Sequence, residues 1–276
     1  MKLNVLVAAM AIAGLGASAI AVAGNSKGRV RSAATQAEVR SMKKELEQAR
    51  ETQTVGISAS TVGDADSFGR NARWIGLMSS GVIQLSDFPD DCDPANFQGG
   101  PDDHCVVLNA QPAVTTFNFP DVARMVIPAK ASNSLFCHVQ TPIASALLQN
   151  NTAATIPNAR VVYNPVFTFE NSTLNDPALI NTDTGLPFNG KVEFTLPGIR
   201  HQLTLQPNES FTGRDDESRV CINGMISKIQ LRELGLTDAQ ATDFFKHDTI
   251  VTMGINGSAQ GVAFSSIINN VRWMGD

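Results

Sequence analysis

The sequence predicts a mainly β protein: an antiparallel β-sandwich of jelly-roll type with two short helices, preceded by an N-terminal helix. Three observations carry that expectation. Charged residues make up only 17% of the 276-residue chain, below the usual quarter, while 21 Gly and 13 Pro punctuate it. Asn-Gly, a strong hairpin cue, occurs at 189–190, 223–224 and 256–257, each time between strand-like flanks. Apolar and polar residues alternate through KVEFTL, where Val192, Phe194 and Leu196 share a face, and through IRHQLTL, where Ile199, His201, Leu203 and Leu205 do.

Residues 1–23, MKLNVLVAAMAIAGLGASAIAVA, have the layout of a secretory signal peptide. Lys2 is a minimal basic start, an apolar Ala-rich run follows, and Ala21-Val22-Ala23 offers a small-residue cleavage site. A retained membrane anchor is the rival, but the Gly and Ala content makes a weak span. No cysteine follows the run, which argues against a lipid anchor. The expectation is export to the periplasm, the extracellular space or the cell surface, with no membrane span after cleavage. Losing Lys2 takes the formal charge from −5 to −6, an acidic balance that argues against nucleic acid as partner.

Residues 24–55 differ from the rest. SAATQAEVRSMKKELEQARE is rich in helix formers. Val39, Met42, Leu46 and Ala49 fall at 3-4-3 spacing and make one apolar seam. A helix this short is marginal alone, so it docks on its own domain or pairs with copies of itself. Residues 56–70, GISASTVGDADSFGR, read as a linker, and the sandwich runs from 71 to 276. Two tandem sandwiches with a break near 150–158 are the alternative.

Within the sandwich, ARVVYNPVFTFE reads as two short strands broken at Pro165. Thr141-Pro142 opens a short helix, PIASALLQ, with Thr as N-cap and Pro in the first turn. Thr237 caps a second, DAQATDFFKH, with Asp238 in its first turn and Lys246 and His247 in its last, which suits the helix dipole.

Two segments repeat a frame: NARWIG at 71–76 and NVRWMG at 270–275 contain both tryptophans of the chain. Trp74 and Trp273 are read as core anchors on neighbouring first and last strands. The rivals are a distant duplication or a strand used in assembly.

All four cysteines lie in the exported part. An even number in an oxidising compartment implies two disulfides, and three connectivities are open. Cys92–Cys105 closes a short loop and Cys137–Cys221 ties distant segments; these are the favoured pairs. Zinc has no C-x-x-C pair to use. The loop DFPDDCDPANFQGGPDDHC gathers Asp87, Asp90, Asp91, Asp93, Asp102 and Asp103. Their repulsion needs relief, and calcium, a cation that takes oxygen ligands, is the candidate cofactor beside a plain solvated loop. The spacing is not an EF-hand. A paired-carboxylate hydrolase site is a third reading.

No nucleophile elbow, zinc-protease helix or phosphate loop occurs. His104, His138, His201 and His247 have no metal spacing, and His201 reads as an inward histidine of a strand. Asp215, Asp216 and Glu217 form a second acidic cluster. Only Trp74, Trp273 and Tyr163 could stack on a sugar. The leading function is therefore an exported structural or adhesive protein that self-assembles or binds at the cell surface. An extracytoplasmic glycan- or ligand-binding module and a secreted hydrolase are the alternatives.

Overall fold

The computed structural model describes residues 31–56, 73–97, 99–196 and 198–275. The signal-peptide segment and nearly all of the linker lie outside them. Helix α1 (Ala33–Gly56) comes first. The long strands follow: β1 (Arg73–Ser79), β2 (Ile83–Ser86), β3 (His104–Val107), β4 (Thr115–Ile127), β5 (Ser134–Gln149) and β6 (Ile156–Asn171). A small ribbon, β7 (Ile180–Asn181) with β8 (Leu186–Pro187), precedes β9 (Lys191–Thr195), β10 (Ile199–Leu205) and β11 (Ser210–Ser227). Helices α2 (Lys228–Glu233) and α3 (Asp238–Phe244) lead to β12 (Thr249–Gln260) and β13 (Val262–Gly275).

The strands form two main sheets. One has the order β11-β5-β13-β2-β3, with β1 also paired to β13; the other has the order β10-β6-β12-β4, with β9 also on β6. Pairing is antiparallel except between β2 and β3. The sheets face each other across one core. Trp273 of the first sheet meets Phe167 and Phe169 of the second edge-on, at 5.4 and 5.5 Å. Tyr163 donates to Ser265 Oγ across the same gap at 2.9 Å. Burial pushes the Tyr163 hydroxyl pKa upward, so it stays a donor.

Several local expectations change. PIASALLQ is not a helix but the second half of β5. Ala144, Ala146 and Leu148 join the main core, while Leu147 faces the other way and packs under α1. A strand covered on both faces shows a continuous apolar run, which periodicity cannot tell from a helix. Pro142 is tolerated because the ladder shifts register beside it on both sides. Of the strand-like flank that follows Asn223-Gly224, residues 225–227 end β11 but Lys228 onward is α2, with Ser227 as N-cap accepting from Gln230 N at 3.2 Å. α3 starts where expected, and Thr237 and Gln240 form a capping box.

Two of the three Asn-Gly pairs are not turns. Asn189 and Gly190 do adopt positive φ, +52° and +83°, in the tight turn before β9. Asn223-Gly224 lies within β11, at a register shift. Asn256-Gly257 lies mid-strand in β12, paired on both sides. A Cβ on Gly257 would stand 1.9 Å from Val162 O and 2.5 Å from the Phe117 ring. Glycine is there for close approach. β6 runs unbroken through Pro165. What changes at Pro165 is the neighbour: β10 pairs with β6 up to Tyr163 and β9 pairs from Val166.

The two tryptophan segments are partners. β1 pairs antiparallel with the end of β13, setting Trp74 opposite Met274 and Gly76 opposite Trp273. Asn150 is fully buried at the corner between β5 and β6 and donates to Ala154 O and Leu205 O, at 2.8 and 3.1 Å. That corner lies inside the unit formed by residues 31–276.

Candidate functional site

The helix seam, the Cys92–Cys105 loop and three of its aspartates, Asp87, Asp91 and Asp103, meet where α1 crosses the outer face of the first sheet. Ser32 caps the helix by accepting from Thr35 N at 3.1 Å. Val39 and Met42 pack with Leu147, Ala263 and Phe264; Leu46 packs with Val82 and Ile268, flanked by Ala49, Phe97 and Ile143. Val39, Met42 and Leu46 are buried, and Ala49, the fourth seam residue, is partly buried. Each of the first three contributes roughly 1.5–3 kcal/mol of gross burial, which is what a helix marginal on its own requires.

The helix brings cations to the acidic loop. Arg31 donates from Nη1 to Asp91 at 2.6 Å and from Nη2 to Asp87, Ser86 Oγ and Ala263 O at 2.8, 2.9 and 2.8 Å. Its guanidinium also lies 5.2 Å from the Phe88 ring centroid. Lys43 Nζ donates to the other Asp91 oxygen at 2.8 Å. Ser86 Oγ donates to Asp91 Oδ2 at 2.6 Å. Burial works to raise the Asp91 pKa. The Lys43 and Ser86 hydrogen bonds and the charges of Arg31 and Lys43 outweigh it and hold the group below its ordinary 3.8. Further along, Arg50 pairs with Asp103, whose carboxylate also accepts from Val82 N and Gly100 N, both at 2.5 Å.

The loop itself is fastened. Cys92 and Cys105 form a disulfide. Gln84 Nε2 bridges Asp91 O at 2.9 Å and Cys105 Sγ at 3.2 Å. On the opposite flank of α1, Arg214 of β11 donates to Glu38 and Glu45 at 2.9 and 2.8 Å. The Glu45 hydrogen bond is the main cause of a raised Arg214 pKa. This flank is more open to solvent, so its pairs contribute less than the half-buried Arg31–Asp91 group.

Two grooves flank Lys43. One, of about 320 Å³, is bounded by Arg31, Arg40, Phe88 and Asp91; the other, of about 340 Å³, by Arg50, Gln84, Asn96 and Phe97.

The remaining predicted residues lie elsewhere or stay exposed. Asp90, Asp93 and Asp102 face solvent, and Asp93 accepts from Ala95 N at 2.9 Å. Among the described residues no group of three or more His, Cys, Asp or Glu is placed to hold a metal ion. Cys137 is disulfide-bonded, and Cys221 stands directly opposite it in the β5–β11 ladder. The histidines are dispersed. His104 stacks on Phe119 at 4.2 Å, and burial, partly offset by Asp102, lowers its pKa. His138 Nε2 is 2.5 Å from Ser218 Oγ; burial and then Arg272 lower its pKa. His201 sits 3.1 Å from Asp215 with Gly213 against its ring. His247 sits 3.2 Å from Asp243 but lies beyond α3, which ends at Phe244, so neither Lys246 nor His247 is in the helix's last turn as expected.

The cations of this site were not singled out in the sequence, although a signal exists. Lys43 and Arg50 are seven residues apart on one side of the seam, and Glu38 and Glu45 seven apart on the other. Among the described residues no helix is long and apolar enough to cross a membrane. No protein-family model matches the chain, and no curated protein matches it.

Proposed function

We propose that the chain is an exported structural or adhesive β-sandwich protein of jelly-roll type, which self-assembles or binds at the cell surface. One observation carries the reading. The chain devotes its Cys92–Cys105 disulfide, its densest ion-pair cluster and its N-terminal helix to bracing one sheet from outside. Such bracing suits a rigid building block. The alternation of successive long strands between the two sheets supports the jelly-roll assignment. A disulfide in a β-rich fold is compatible with export.

The test is the mass of the purified protein by light scattering across a concentration series, with calcium and with chelator. A defined oligomer is expected; a monomer at every concentration and in both buffers overturns self-assembly.

The grooves beside Lys43 favour a second reading, an extracytoplasmic ligand- or glycan-binding module. Calcium dependence belongs to that reading through the acidic loop as a whole, Asp87, Asp90, Asp91, Asp93, Asp102 and Asp103. It predicts a melting temperature that rises with calcium or with a glycan, and a flat response to both sinks it.

A further inference from the structure

We infer that α1 is an exchangeable strap, and that the partner its seat on the first sheet fits is the α1 of a second copy of this chain. The inference rests on the self-assembly reading and says which surfaces make the contact.

The first support is modularity. The sandwich core closes without the helix. Val39, Met42 and Leu46 belong to two small clusters on the outer face, separate from the continuous core that joins the two sheets. Undocking α1 therefore uncovers Leu147, Phe264, Val82 and Ile268 but opens no hole between the sheets. An element that can leave without dismantling the core is one that copies can trade at little cost.

The second support is that the seat is specific. It is apolar along its middle, anionic on the loop side at Asp87, Asp91 and Asp103, and cationic on the other side at Arg214. The helix carries the matching order: Lys43 and Arg50 on one side of the seam, Glu38 and Glu45 on the other. A helix of another sequence, or this one docked in reverse, sets like charges together. A second copy's α1 repeats every contact.

The third is reach. α1 ends at Gly56 and β1 starts at Arg73, so sixteen residues join them. Extended, that length of chain spans about 55 Å. The strand beneath the helix is comparable: the sixteen residues of β5 run about 53 Å. The same connection thus serves a helix on its own sheet or on a neighbour's. Concentration decides between them, because the closed form competes through a high effective concentration of its own helix.

The Lys43–Asp91 pair makes the exchange directly readable. It is a 2.8 Å contact between helix and loop, which a carbodiimide converts to an amide without a spacer. Isotopically heavy and light protein are mixed in equal amounts, unfolded with disulfides intact, refolded together at high concentration and separated by size. If α1 is exchanged, about half of the Lys43–Asp91 cross-links in the oligomer fraction join a heavy to a light chain, as random pairing requires. An oligomer whose Lys43–Asp91 links all lie within one isotope overturns the exchange and leaves self-assembly standing. A monomer at every concentration overturns self-assembly and the exchange with it. Met42→Asp gives a second check. It is expected to lose the oligomer while keeping a cooperative, disulfide-bonded sandwich, and a variant that keeps the same oligomer overturns the exchange.

Discussion

Trp273 shows how much one residue carries here. It is fully buried, meets two phenylalanines of the facing sheet edge-on, and donates from Nε1 to Met78 Sδ at 2.9 Å. Trp273→Ala is expected to cost about 3–5 kcal/mol in denaturant unfolding, and Trp273→Phe clearly less. Equal losses for the two would show that ring shape and contact area do not matter at this position. Gly257 makes the opposite kind of contribution, by having no side chain. Gly257→Ala forces a methyl onto the Val162 carbonyl and is expected to cost about 1–3 kcal/mol or more, since the obstacle is backbone. An alanine variant with an unchanged unfolding midpoint would contradict that packing. The two copies of the tryptophan frame are neighbours in one ladder.

Among the elements, α1 depends most on its surroundings. Its grip on the acidic loop requires ionised carboxylates. The Asp91 pKa is lowered by folding, so its contribution is complete above the ordinary value of 3.8 and is lost as pH falls through the lower folded value. α1 is therefore expected to become sensitive to proteolysis in acid below about pH 4, before the sandwich unfolds. Asp91→Asn should bring that sensitivity up to neutral pH. Cleavage within 33–56 that is independent of both pH and the Asp91 charge would show that the apolar seam alone holds the helix. The disulfide acts on the same element through the loop. Removing it with Cys92→Ser and Cys105→Ser frees a loop closed over a sequence separation of 13 and is expected to cost roughly 3 kcal/mol. Amide exchange in α1 should accelerate in that double variant, and unchanged exchange would separate the loop from the helix.

For the molecule as a whole, three layers result: a helix, the sheet it covers, and the second sheet. Burial of β13 follows from that arrangement, since nearly all of its fourteen residues are covered from one side or the other. Deleting 24–56 should leave a folded sandwich with a new apolar surface over Leu147, Phe264 and Ile268. The expected signature is cooperative unfolding together with increased binding of a hydrophobic dye. Loss of cooperative unfolding would mean that the helix is part of the core. The edges of the sandwich are guarded in ways that disfavour random strand addition. β4 carries Pro120, and the outermost strand β11 carries Arg214, Asp215 and Asp216.

Local chemistry made the mainly β class, the N-terminal helix and its seam, α3 with its capping box, and the Cys92–Cys105 pair legible from the sequence by itself. Each depends on residues close in the chain: an apolar spacing, a cap and its third neighbour, or a short loop between cysteines. Tertiary structure decided the rest. PIASALLQ is a strand because β11 and β13 pair with it on both sides while the core and α1 cover its two faces, and nothing within that octapeptide says so. Asn256-Gly257 is a mid-strand contact because Val162 and Phe117 press on it from both neighbouring strands. The crowded aspartates were visible as a repulsion in search of a cation. Arg31, Lys43 and Arg50 answer it for Asp87, Asp91 and Asp103 from positions more than forty residues away. The seven-residue spacing of Lys43 and Arg50 marks a cationic flank of the helix but does not name the carboxylates it meets, because attraction across space depends on where the chain folds and not on where the residues stand in it.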